Sequence, residues 1–139
     1  MKKKILIIAV VVAVAVAMYA YYQFNKPHKD IAAAEPVAAL SANELFSQFE
    51  TSETESNQRY LGKIVEVSGL VYSSEQGPKG DVNVLLMNEN DMFGIACNFD
   101  GGRITGDEFK KGDNITIKGE CAGMLSDVVL IRCVIVKTN

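Results

Sequence analysis

The sequence predicts a mostly β protein: a small five-stranded Greek-key barrel, preceded by one or two short helices and, ahead of those, a transmembrane helix. Three observations predict it. Residues 5–22 carry no charge and are almost wholly apolar. From Leu61 onward, apolar residues recur at every second position in five short runs, the period of strands with one buried face. Glycine stands in the middle of two of these runs, at Gly69 and Gly119. A bare backbone in mid-strand marks a bulge or a tight bend at a barrel corner.

Taken in order, the chain opens on a basic cap, residues 1–4, with Lys2, Lys3 and Lys4. Residues 5–22, ILIIAVVVAVAVAMYAYY, follow. As a helix this run is ~27 Å long, enough to cross a hydrocarbon core. Tyr19, Tyr21 and Tyr22 fall where an interfacial aromatic belt belongs. The lysines at the front predict a cytoplasmic N-terminus and a C-terminal domain outside the cytoplasmic membrane, on the periplasmic side. The rival is a signal peptide with export of the domain after cleavage, because Ala13-Val14-Ala15 and Ala15-Val16-Ala17 have the small-x-small form of a cleavage site. No Cys follows the apolar run, so a lipoprotein anchor has no support. A core helix is a poor reading, since the run is apolar all round. Residues 23–40, with Pro27, Pro36 and many alanines, read as a linker holding the domain off the membrane, and His28 as a solvated linker residue.

Residues 41–60 read as short helices. Ser41-Ala42-Asn43-Glu44 fits a capping box. Leu45, Phe46 and Phe49 then share one helical stripe, and Ser52-Glu53-Thr54-Glu55 repeats the box. The barrel occupies residues 61–137. Its first strand places Val65, Val67, Gly69 and Val71 on one face and Ile64, Glu66, Ser68, Leu70 and Tyr72 on the other. Ser73–Asp81 has loop composition. Val82, Val84 and Leu86 point inward from the second strand, and Ile95, Cys97 and Phe99 from the third. Asp100–Lys111 connects onward with a helical turn near Phe109. The last two strands form a hairpin: Ile115, Ile117, Gly119 and Cys121 inward from one, Val129, Ile131, Cys133 and Ile135 sharing a face of the other. Five strands, a longer connection between the third and fourth, and glycine bends in the first and fourth suit the OB-fold barrel. A five-stranded sandwich is the alternative and would leave more edge exposed.

Three stretches carry a family resemblance. They are Tyr60-Leu-Gly-Lys63 with Val67-Ser-Gly69-Leu-Val71, then Gly94-Ile-Ala-Cys97-Asn-Phe99, then Lys111-Gly-Asp113 with Gly119-Glu-Cys121-Ala-Gly123 and Cys133. Together, over about residues 42–137, they resemble the tRNA_anti-like OB-fold family. These are bacterial proteins, often with an N-terminal membrane or export segment. The resemblance implies the fold and the likeness to anticodon-binding OB domains that the family name records. It implies no activity and no catalytic residues.

Charge is unevenly spread. Residues 1–29 hold five lysines and no acid, whereas residues 30–139 hold nine Lys and Arg against seventeen Asp and Glu, a net of −8. Such a domain repels phosphate backbones, which makes nucleic acid an unfavoured partner. The residues that OB domains use for oligonucleotides lie on the outer side of strands two and three. Here those are Asn83, Leu85, Met87, Ala96 and Asn98, without an aromatic or a charge. Lys63, Lys118 and Arg132 face outward singly. The domain has no His, so a Ser-His-Asp triad is excluded. Cys97, Cys121 and Cys133 lack zinc spacing. Asn88–Asp91 with Asp100–Gly102 does not match a calcium loop. The expectation is therefore a non-enzyme with no metal and no cofactor.

What remains is a mildly apolar outer patch, Leu70, Tyr72, Leu85 and Met87, which either docks a protein or peptide or is covered by the 41–60 helices. Cover is the expectation, since Leu45, Phe46 and Phe49 need a surface to bury against. The functional reading is a membrane-anchored binding or interaction module of unassigned ligand, joined to the membrane through residues 5–22. The alternative is a single-stranded nucleic-acid binder. A hairpin turning about Asp127 would set Cys121 opposite Cys133, close to disulfide reach in an oxidising compartment. Cys97–Cys133 is the competing pair, and three buried thiols the remaining outcome.

Overall fold

The computed structural model describes residues 1–25 and 30–138. His28 therefore lies outside the described residues. Helix α1, Lys2–Phe24, spans 23 residues with none of them buried. By length and composition it can cross a membrane.

The barrel domain begins earlier than the apolar alternation announces. Ala39–Ser41 forms a short strand β1 that runs parallel to β2, Ile64–Gln76, with Leu40 opposite Val67. Val37 N–H donates to the Ile64 carbonyl, and Ile31 is buried. Part of the expected linker is thus a sixth strand. Its pairing partner is the edge of β2, which no local pattern in residues 30–41 reveals.

Helix α2, Ala42–Thr51, starts where the capping box places it. Glu44 N–H donates to Ser41 Oγ at 3.2 Å, and Ser41 N–H donates to Glu44 Oε2 at 2.9 Å, so two otherwise orphaned donors are satisfied. Helix α3, Glu53–Tyr60, is capped by Ser52, whose Oγ accepts from Glu55 N–H. The two helices are clamped together: the Tyr60 hydroxyl donates to Gln48 Oε1 at 2.7 Å, and the Phe49 and Tyr60 rings lie 6.2 Å apart. Ala42, Leu45, Phe49 and Tyr60 bury into the same core as the strands. The helices therefore complete the barrel interior and do not cover the outer patch, where Leu70 stays 41% exposed.

The five barrel strands are β2, then β3 (Val82–Leu86), β4 (Ile95–Phe99), β5 (Asn114–Met124) and β6 (Val128–Thr138). The sheet order is β1-β2-β3-β4-β6-β5, and β2 pairs with β5 to close it. Strand β2 is long because it serves both neighbours: Ile64–Leu70 pairs with β5, and Val71–Gln76 with β3. Closure leaves few open edges. A 3-10 turn, Gly106–Glu108, brings Phe109 into the core beside Phe99, ring centroids 5.5 Å apart. Apart from Gly69, the inward residues expected of β2 to β5 are buried, from Val65, Val67 and Val71 to Ile115, Ile117 and Cys121, and Ile64, expected on the outer face, is buried too.

Strand β6 departs from expectation. Val128, Leu130 and Cys133 are buried, while Val129 and Ile131 are only partly so. The cause is a bulge. Lys118 pairs with Val134 but Glu120 pairs with Ile131, so β6 carries one extra residue opposite Gly119. Arg132 takes a left-handed φ of 52° there, and a one-residue insertion flips every later side chain to the other face. Gly119 makes this possible. A Cβ at that position would stand 2.7 Å from Cys133 Sγ and 3.0 Å from Leu130 Cβ. The sulfur of Cys133 occupies the space a side chain would need.

Candidate functional site

A second irregularity, nearer the turn and between Cys121 and Gly123, sets the partner of Cys121. Cys121 lies opposite Leu130, not Cys133, because the strands slip past the register of a simple turn about Asp127. All three cysteines are free and buried. Burial raises the Cys97 thiol well above its ordinary pKa, and the neighbouring Cys133 thiol raises it further. Burial also raises Cys121, partly offset by a hydrogen bond from the Gly123 backbone. Cys97 and Cys121 are thus packing thiols held neutral, the opposite of the low-pKa setting a nucleophilic cysteine needs.

The outer patch is partly assembled. Val71 pairs with Leu86 and Ser73 with Leu85, so Tyr72 sits at an irregularity between them. The Met87 N–H donates to the Leu70 carbonyl at 3.1 Å, which ties the start of the β3–β4 turn to β2. Leu70, Tyr72 and Met87 thereby line one cleft of about 480 Å³, with Glu89 and Lys111 at its rim. Leu85 does not join them. It faces Ser73 and Ala96 across the sheet.

Two features of this cleft lay beyond sequence reasoning. Lys111 Nζ stands 4.8 Å from the centre of the Tyr72 ring and 3.2 Å from Glu89 Oε1. An ammonium over an aromatic face contributes ~0.5–1 kcal/mol at an exposed site. The signal that could have found it is the short return Lys111-Gly112-Asp113, in which the Gly112 N–H donates to the Val71 carbonyl and the Val71 N–H to that of Asp113. That exchange seats Lys111 beside Tyr72. The second feature is continuity. Leu70 and Met87 also line a neighbouring hollow with Ala42 and Asn43. Ala42 and Asn43 in turn line a cleft of about 510 Å³ against Met92 and Phe93. The three hollows form one trough between the start of α2, β2 and the β3–β4 turn.

The outer side of β3 and β4 is plain. Asn98 Nδ2 donates to Asn83 Oδ1 at 2.7 Å, and Leu85 pairs with Ala96. Among the described residues no three His, Cys, Asp or Glu side chains converge to hold a metal ion. Arg132, at the bulge, ion-pairs with Glu120.

A closed five-strand barrel with a trough along one side defines an OB-fold domain carrying an N-terminal apolar helix. The model of the tRNA_anti-like family matches residues 1–135, and the chain belongs to that family. No curated protein matches it. Among solved structures, a protein of Klebsiella pneumoniae subsp. pneumoniae MGH 78578, described as a candidate nucleic acid-binding lipoprotein, aligns with a TM-score of 0.58 at 20% identity. The alignment covers 81% of this chain and all of that one. At that identity the likeness is one of fold.

Proposed function

We propose that this chain is a membrane-anchored binding module. Helix α1 holds it in the cytoplasmic membrane, residues 1–4 stay inside, and the OB barrel outside engages a protein or peptide partner along the Leu70–Tyr72–Met87 cleft. The observation that carries the reading is that cleft: a concave apolar surface next to an outer sheet face with no aromatic or basic residue. The basic cap ahead of the apolar helix supports the orientation. The reading gives the domain no catalytic step. The Klebsiella protein is described as a lipoprotein; in this chain the proposed attachment is α1.

A second reading, single-stranded nucleic acid, is favoured by the Tyr72–Lys111 pair, since an aromatic face beside a cation is how oligonucleotide bases are held. The Klebsiella protein's description points the same way. Against it stand the net charge of −8 over residues 30–139 and the prior engagement of Lys111 by Glu89. Fluorescence anisotropy with labelled single-stranded DNA and RNA separates the two. The full chain in detergent is expected to show no dissociation constant tighter than about 10⁻⁴ M at physiological salt. Micromolar binding that weakens steeply with salt and is lost in Tyr72→Ala replaces the first reading with the second. A C-terminal reporter active only in the cytoplasm refutes the orientation.

A further inference from the structure

The far end of the trough has a chemistry of its own. Its apolar lining is Phe46 from α2 with Met92 and Phe93 from the β3–β4 turn. Met92 is 84% exposed and Phe93 43%. Exposed apolar residues are ordinary when scattered. These two are adjacent, and the turn that carries them is fixed. Asn88 N–H donates to Asp91 Oδ2, and Asp91 N–H donates back to the Asn88 carbonyl at 3.1 Å. Gly94 N–H donates to Asp127 Oδ1 at 2.8 Å, and the Gly94 carbonyl accepts from Val128 N–H. Gly94 also admits no side chain, since a Cβ there would meet the Leu86 carbonyl oxygen at 2.2 Å. The turn is thus bonded at both ends and holds Met92 and Phe93 out in solvent beside Phe46.

The rim is acidic. Glu50 stands one helical turn beyond Phe46, and Asp91 precedes Met92. No Lys or Arg lines the cleft, and none occurs between Asp30 and Gln58, a stretch with six acids. An apolar lining with an acidic rim is complementary to one kind of occupant. We propose that this cleft seats a cationic, apolar peptide segment of a partner protein, its apolar side chain on Phe46, Met92 and Phe93 and its Lys or Arg against Glu50 and Asp91. The inference rests on the binding-module reading and supplies the partner's chemistry. The same carboxylates would repel an anionic lipid surface and a phosphate backbone.

The test uses the full chain in phosphatidylcholine nanodiscs and a fluorescein-labelled peptide that alternates Lys with Leu and Phe. Saturable binding is expected, absent on empty nanodiscs. It weakens about ten-fold with Phe93→Ser and with Glu50→Lys, and it is unchanged by Glu75→Lys, which lies outside the cleft. A peptide with Ser in place of Leu and Phe is expected not to bind. Equal loss from Glu75→Lys and Glu50→Lys, with Phe93→Ser silent, means diffuse charge attraction and overturns the inference. So does equal uptake by empty nanodiscs. Loss only from Met87→Ser overturns the inference and leaves the module reading standing. Saturable, salt-sensitive binding of a labelled single-stranded oligonucleotide to the nanodisc-held chain in the absence of the peptide, lost in Tyr72→Ala, overturns both.

Discussion

Substituting Gly119→Ala adds one methyl group at the point where β5, β6 and Cys133 meet. Its Cβ would stand 2.7 Å from Cys133 Sγ and 3.0 Å from Leu130 Cβ, where carbon contacts ordinarily sit at ~3.5–4.0 Å. The thiol can rotate, but its neighbours are tight: Cys133 Sγ already lies 3.5 Å from the Leu130 carbonyl. Gly119 has no left-handed φ, so the cost is steric. Overpacking of this kind costs ~1–3 kcal/mol, offset by ~0.5–1 kcal/mol because Ala orders more cheaply than Gly. The expected net loss is ~0–2.5 kcal/mol, centred near ~1 kcal/mol. Urea unfolding, followed by circular dichroism of the β signal with an unchanged m-value, reads it directly. Removing the sulfur supplies the control. In a Cys133→Ala background the same change is expected to cost about 1 kcal/mol less, the coupling of side chains in contact. A stabilising Gly119→Ala, or full additivity with Cys133→Ala, would refute the packing of the sulfur over the bare backbone and with it the register of the hairpin.

Two further outcomes follow from the thiols. Cys97 and Cys121 titrate higher folded than unfolded. The unfolded chain therefore loses their protons first, near pH ~8.5. Their contribution is intact below that pH and is lost as pH rises above it, by up to ~1.4 kcal/mol per unit for each thiol. Stability that rises between pH 8.5 and 10 would contradict this. With Cys121 set opposite Leu130, non-reducing peptide mapping of protein taken from its native compartment is expected to show no Cys121–Cys133 bridge. Finding that bridge would require the hairpin to pair as a simple turn about Asp127.

Much of the barrel was legible because its determinants are local. Period-two alternation in Val65–Val71, Val82–Leu86 and Ile95–Phe99 marks buried faces directly, and Ser41 and Ser52 announce their helices within four residues. The apolar character of residues 5–22 needs no context. What escaped is non-local. The parity of β6 turns on whether Cys133 can nest over Gly119, fourteen residues earlier. Strand β1 exists only because β2 offers it an edge. The patch was partly legible: Leu70, Tyr72 and Met87 do share a cleft, while Leu85, paired with Ser73 beyond the irregularity at Tyr72, does not line it. The acidic cleft joins Phe46 and Glu50 to Met92 and Phe93, more than forty residues apart, and no spacing in the chain could connect them. The helix stripe was read correctly but its destination was not, since Leu45 and Phe49 fill the barrel and leave the outer face open.

Partner binding at the cleft is tested most directly by placing a photo-crosslinking side chain at Met87, which lines it with Leu70 and Tyr72, and irradiating intact cells. The expected product is an adduct that protease destroys and nuclease leaves untouched, abolished when Leu70→Ser alters the cleft and formed with a partner reachable from outside the cytoplasmic membrane. An adduct that nuclease removes, or one formed only with cytoplasmic components, would contradict the proposed function.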